Sequence, residues 1–287
     1  MNSIRMQFAG PLVASAALVL LMSAAANAQP TPSPAPSAAV ADPCGDTDLL
    51  ATTDRPTFGT NPCVVKYKDT VVELGYRNTT TSDAPNSARS STYPQPRTRI
   101  GIAPNLEVVL DFPSAQHFAS NGTLVSGESN IGTGLKYELG YGSRWVHGIA
   151  AEAVYPTGST GFTTGLPSYN GSYQAGYAIL PGLGVGGTLG FNTFSSPNPA
   201  GGKNVGTTAF TPAFQVGGVI ASQTKLTVEL AHSTSAGPRT SGQSFADAFL
   251  QHAFGRNFLV DINGGTRFNV VNGTHQHYVG AGGSIKL

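Results

Sequence analysis

The stretch IGTGLKYELGYGSRWVHGIAAEAVYP, Ile131 to Pro156, decides the fold class. Every second residue from Ile131 runs Ile131, Thr133, Leu135, Tyr137, Leu139, Tyr141. The residues between are Gly132, Gly134, Lys136, Glu138 and Gly140. Period-two alternation is the mark of a strand with two unlike faces. After Gly142-Ser143 it resumes. A soluble sheet would bury the apolar face and wet the charges, whereas a membrane barrel shows the apolar face to lipid and turns the charges inward. The alternation alone fits both, so the choice falls to the rest of the chain.

The chain has 287 residues, 36 of them glycine, and 16 basic residues stand against 15 acidic ones. So even a balance gives no basis for nucleic-acid binding. Arg5, the apolar run Phe8 to Met22 and Ala26-Asn27-Ala28 together predict a cleavable secretory signal over 1–28. The next stretch, QPTPSPAPSAAVAD at 29–42, reads as an extended linker unable to bury a core. No later apolar run is long enough for a membrane helix, so any membrane crossing must be made by strands closed into a barrel. Residues 43–68 form a short polar segment, expected in the periplasm as a tether or small plug near a barrel mouth. Export makes a disulfide between its Cys44 and Cys63 the expectation.

From residue 69 to 287 the sequence breaks into short alternating runs, with strands expected near 70–77, 97–103, 106–112, 131–141, 145–155, 172–180, 183–192, 209–220, 224–232, 244–254, 257–268 and 276–287. Short connections alternate with long polar ones, the long ones near 78–96, 113–130, 156–171, 193–208, 233–243 and 269–275. An all-β, transmembrane, up-and-down antiparallel β-barrel of about twelve strands with both termini in the periplasm has this layout. A Greek-key sandwich has no reason to keep it.

Charge placement is a second test. Glu73 and Arg77, Arg97 and Arg99, Glu107 and Asp111, Lys136 and Glu138, Lys225 and Glu229, and Asp261 and Arg267 each share one parity within a strand. Random placement would do so in roughly one case in sixty, each face being equally open. Glu152, Asp247 and Lys286 take the same side. Aromatic residues stand at strand ends, with Tyr76, Phe112, Tyr155, Tyr173, Phe191 and Phe268 beside long connections. Tyr141, Trp145, Phe254 and Phe258 stand beside short ones. Two interfacial girdles look like this. On this reading Ile131 to Tyr141 meets lipid with its apolar face.

The segments PQPRTRIGIAPNLEVVLDF, NIGTGLKYEL, VYPTGSTG, LGVGGTLGF, KLTVELAHS, NFLVDINGGTRFN and YVGAGGSIKL, in this order over residues 69–287, resemble the bacterial family described as putative MetA-pathway of phenol degradation. The resemblance implies an outer-membrane barrel of transporter type in a Gram-negative bacterium, handling small aromatic or hydrophobic molecules. Its implied partners are outer-membrane lipid, the barrel-assembly machinery and a small-molecule solute. One departure is the end Ile285-Lys286-Leu287, where such barrels commonly carry a terminal aromatic.

The lumen candidates are Glu73, Arg77, Arg97, Arg99, Glu107, Asp111, Lys136, Glu138, Glu152, Lys225, Glu229, Asp247, Asp261 and Arg267. They form either an interior salt-bridge network that stiffens the wall or a constriction that sorts solutes. Inward glycines such as Gly132, Gly134, Gly184, Gly186, Gly280 and Gly282 either widen the lumen or mark strand bends. A hydrolase is the rival reading, with His232 beside Ser233, yet no G-x-S-x-G appears. His275 and His277 share a face, but two ligands do not make a metal site. No catalytic residue, cofactor or metal is expected. Asn78, Asn121, Asn170 and Asn272 head glycosylation sequons, read as loop composition. The expected function is passive passage of small molecules, with a closed structural or loop-binding barrel as the alternative.

Overall fold

The computed structural model describes residues 42–44, 49–55, 59–83, 86–196, 205–235, 242–268 and 275–287. The expected signal peptide, nearly all of the linker, residues 45–48 and 56–58 of the short segment, and parts of four expected loops (84–85, 197–204, 236–241 and 269–274, the last holding the Asn272 sequon) lie outside them. Among the described residues are one helical turn, α1 (Leu49–Thr52), and fifteen strands. In chain order these are β1 (Thr70–Asp83), β2 (Asn86–Tyr93), β3 (Arg97–Ala103), β4 (Leu106–Asp111), β5 (Ala115–Ser120), β6 (Thr123–Glu128), β7 (Ile131–Tyr141), β8 (Trp145–Tyr155), β9 (Ser168–Leu180), β10 (Leu183–Ser196), β11 (Val205–Ala221), β12 (Thr224–Ser233), β13 (Gln243–Phe254), β14 (Phe258–Phe268) and β15 (His275–Lys286).

Twelve of them, all but β2, β5 and β6, form a closed antiparallel barrel. Each strand pairs with the next barrel strand in sequence, and β15 returns to β1 from Val71↔Lys286 to Ser82↔His275. Closure leaves no edge in the barrel wall. The tight turns have the residues their backbone demands: Gly182 after Pro181 and Gly255 both sit at positive φ, where glycine carries no steric cost.

Two of the expected long loops are strands instead. The far half of β1 runs to Asp83 and pairs with β2, which pairs with β5, which pairs with β6. The barrel wall thus continues past the long-connection end as a four-stranded extension. Asn121-Gly122 joins β5 to β6 with both residues at positive φ, as a two-residue hairpin requires. Asn121, expected as loop, is part of this turn. Prolines hid the continuity: Pro94 and Pro96 interrupt β2 from β3, and Pro113 interrupts β4 from β5. Proline cannot donate to a ladder. The breaks are stitched locally, Phe112 N–H to the Pro96 carbonyl at 3.0 Å and Ser129 N–H to the Ser114 carbonyl at 2.9 Å. Asn78 and Asn170, likewise read as loop, lie in β1 and β9.

The two faces of the wall have opposite chemistry. Leu74, Leu226, Val228, Leu230, Ile262 and Val279 point outward and stay 39–61% exposed. Glu73, Arg99 and Glu107 point inward and are fully buried. Tyr76, Phe112, Tyr155, Tyr173, Phe191, Tyr141, Trp145, Phe254 and Phe258 are all exposed on the outside. An apolar exterior around a charged interior, with no open edge, is the arrangement a bilayer demands. A soluble barrel would be built the other way round.

Candidate functional site in the barrel lumen

The described residues between 42 and 66 occupy the lumen at the short-turn end and reach to its middle. Leu49, Leu50 and Val65 bury themselves against Val71, Ala253 and Leu259, which face inward at the short-turn ends of β1, β13 and β14. Cys44 and Cys63 form a disulfide that packs on Val146. Between these anchors, Asp54 and Gly59 lie towards the middle of the barrel, against Lys136 and Glu229. The chain leaves through Lys68, at φ 73°, whose N–H donates to the Gly101 carbonyl at 2.9 Å; Gly101 N–H returns a bond to the Asp69 carbonyl at 3.0 Å.

The wall charges bind this segment. Arg99 donates two bonds to Glu107, at 2.8 and 2.9 Å, and others to the carbonyls of Thr52 and Cys63. It also lies 3.5 Å from Asp54 and 3.4 Å from Glu73. Lys136 donates to both oxygens of Asp54, at 2.9 and 3.2 Å. Glu73 accepts from the Thr53 hydroxyl and the Asp54 N–H, both at 3.2 Å. Glu229 accepts from Gly59 N–H at 2.8 Å, and Val65 N–H donates to Glu107 at 2.6 Å. Lys225 reaches the Leu50 carbonyl at 3.4 Å. Arg55 lies 3.5 Å from Asp261 and donates to Gln95 at 3.2 Å. A short chain with few apolar residues is thereby held by charge-assisted bonds in a place where leaving any partner alone would be costly.

Burial opposes ionisation of Asp54, but Arg99, Lys136 and Arg97 outweigh it and hold the carboxyl below its ordinary range. The carboxylate is therefore the state that locks the segment to β3 and β7.

Several inward glycines make room for the segment. A Cβ on Gly282 would stand 2.5 Å from the Arg55 guanidinium, one on Gly75 would overlap the same group, and one on Gly101 would collide with the Lys66 carbonyl. Gly148 faces the Pro62 carbonyl, 3.1 Å from an added Cβ. So Gly282, expected as lumen-widening or a bend, is a seat for Arg55.

The remaining candidates fall into separate groups and do not form one ring. Arg97 is forked onto Asp111, at 2.6 and 2.9 Å, with Glu152 at 3.7 Å, beyond the segment towards the long-connection end. Arg77, Asp247 and Arg267 lie on β1, β13 and β14, with Phe245 and Tyr278 among them. Glu138 comes within 4.8 Å of Asp42 and Cys44, whose sulfur is committed to the disulfide. His232 and Ser233 point to opposite faces, His232 outward beside Ser244 at 3.0 Å and Ser233 inward. The neighbours that suggested a hydrolase are thus kept apart by strand geometry. Asp54, Arg55 and Gly59 were not among the expected residues, because a segment without strand period gives no parity to read. The available signal was a run of charges ahead of the first strand, from Asp42 to Asp69, with Asp54-Arg55 adjacent within it.

Among the described residues, two cavities flank the segment. The cavity towards the short turns, about 460 Å³, is lined in part by Leu50, Pro62, Val146 and Phe249. The cavity towards the long connections, about 300 Å³, is lined by Asp54, Arg97, Asn170, Ser172, Asn192 and Thr211 among others.

No family model matches the chain, the phenol-degradation family included, and no curated protein matches it in sequence. Among solved structures, the NanC porin is similar at 11% identity and a TM-score of 0.49, over 75% of this chain and 100% of that one. The translocator domain of the autotransporter NalP from Neisseria meningitidis is similar at 12% identity and 0.47, over 76% and 87%. A FadL homologue from Pseudomonas aeruginosa gives 6% identity and 0.46, over 86% and 98%. Likeness at this level says nothing about cargo, and that question falls to the lumen itself.

Proposed function

We propose that this chain is an outer-membrane channel for small molecules, aromatic or hydrophobic ones among them, and that its own residues 42–69 act as a plug. The observation that carries the reading is the pair of cavities on either side of that segment. A barrel of about eight strands fills its interior with wall side chains. This one instead spends small and glycine residues on an interior that holds a separate strand of chain and two spaces large enough for small solutes. Both cavities mix apolar wall with polar and charged side chains, the short-turn one being the more apolar, which favours a solute with both a polar group and an apolar body. Passage then requires the plug to shift, and the contacts of Asp54 are those that must yield.

In this reading the long-connection end faces the outside and both termini face the periplasm. A signal peptide over 1–28 exports the chain, and the barrel-assembly machinery inserts it. A closed barrel is the second reading, favoured by the ion pairs at mid-height. Swelling of liposomes containing the purified protein in small aromatic alcohols separates the two. Uptake by the wild type, or by an Asp54→Asn variant, supports a channel. Absence of uptake in both refutes it and leaves the closed barrel.

A further inference from the structure

We infer that the inner wall formed by β13, β14, β15 and β1 at the long-connection end carries a binding site for a small organic monocarboxylate, held by Arg77 and Arg267. Its place on a transport path rests on the channel reading; the binding does not.

The inward arginines differ in what they touch. Arg97 and Arg99 are forked onto carboxylates. Arg77 and Arg267 are half-buried and lie within 4 Å of no carboxylate oxygen among the described residues. Each is instead laid on an aromatic ring: Arg77 over Tyr278, 4.9 Å from its centre, and Arg267 over Phe245 at 4.6 Å. Stacking fixes the plane of a guanidinium and leaves the N–H groups at its edge unused. Those edges match a carboxylate in a two-pronged bond.

The pairing pattern puts both groups in one patch. Arg267 is opposite Phe245, and two residues away Gly265 is opposite both Asp247 and Tyr278. Tyr278 donates its hydroxyl to Asp247, spanning β14 above Gly265. A Cβ there would stand 2.7 Å from the Tyr278 oxygen. The second Asp247 oxygen has no hydrogen-bond partner and supplies one negative charge. The nearby Asp261 is paired with Arg55 at 3.5 Å, so the two guanidinium groups against Asp247 leave one positive charge. A monoanion completes that balance, and a dianion such as phosphate overshoots it.

The test is calorimetric titration of the full-length protein in detergent with benzoate, benzyl alcohol and inorganic phosphate. Benzoate should bind, with affinity falling as salt rises, and benzyl alcohol and phosphate should each bind at least tenfold more weakly. Arg77→Gln and Arg267→Gln should each weaken benzoate at least tenfold, with folding checked by heat-dependent gel mobility. Benzoate binding that is absent, is equal in the variants, or is matched by phosphate overturns the site. If the variants do not fold, the salt dependence of wild-type binding decides, and salt-independent binding overturns the site. Benzoate binding without uptake into liposomes by either the wild type or Asp54→Asn would refute the channel reading alone. Uptake of neutral solutes without anion binding would refute this site alone.

Discussion

Asp54 and Lys136 meet at 2.9 Å inside the barrel, though 82 residues separate them in the chain. One belongs to the segment that fills the lumen and the other to wall strand β7. Lys136 is 1% exposed, so neither can find water in place of the other. This contact and the neighbouring one to Arg99 hold the turn of the segment in place.

Asp54→Asn is expected to loosen the plug without disturbing the wall. Removing one partner of a buried ion pair typically costs about 3–5 kcal/mol. That cost should appear as faster hydrogen exchange over residues 49–55 and higher conductance in planar bilayers. Unchanged exchange over that stretch would mean the segment is held by its apolar anchors alone.

Acid should act through the same carboxyl. The folded pKa of Asp54 lies below its unfolded value of ~3.9, and its contribution is therefore complete above that value. It is lost only as pH falls through the lower folded value. Segment protection should hold down through pH 5 and fail below the ordinary carboxylate range. In Asp54→Asn this step should vanish. A loss of protection already at pH 6 would point to a different group.

The Cys44–Cys63 disulfide is buried, its cysteines 0% and 6% exposed. Mild reductant should leave it intact in the folded barrel and cleave it after denaturation, read by thiol alkylation and mass spectrometry. Its sequence separation of 19 corresponds to about 3 kcal/mol in the chain-entropy account. Cys63→Ser should then lower protection of the segment while leaving barrel gel mobility unchanged.

Val228 points outward, 50% exposed, near the middle of β12. If that face meets lipid, Val228→Lys should cost about 2–4 kcal/mol in refolding titrations into liposomes. A change near zero would place the residue away from the hydrocarbon.

The strand period, the single parity of the charges and the alternating connections were all legible from the sequence, because each is a local pattern that repeats every two residues. That fixed the closed barrel, its strand number and which face is charged. The prolines at 94, 96 and 113 misdirected the local reading. A proline marks an interruption, but only pairing across the sheet tells whether the strand resumes, as β2 and β5 do.

What tertiary structure alone decided is what the inward charges hold. Parity says that Arg99, Lys136 and Arg267 face the same interior, but it cannot say that the first two close on Asp54 while the third rests on Phe245. Those partners lie far apart in the chain, and the lumen segment that brings Asp54 to them has no periodic signal of its own. Its position is set by complementarity with a wall that exists only once the first strand has met the last. Local chemistry was enough to specify the barrel, and the occupant of the barrel had to wait for closure.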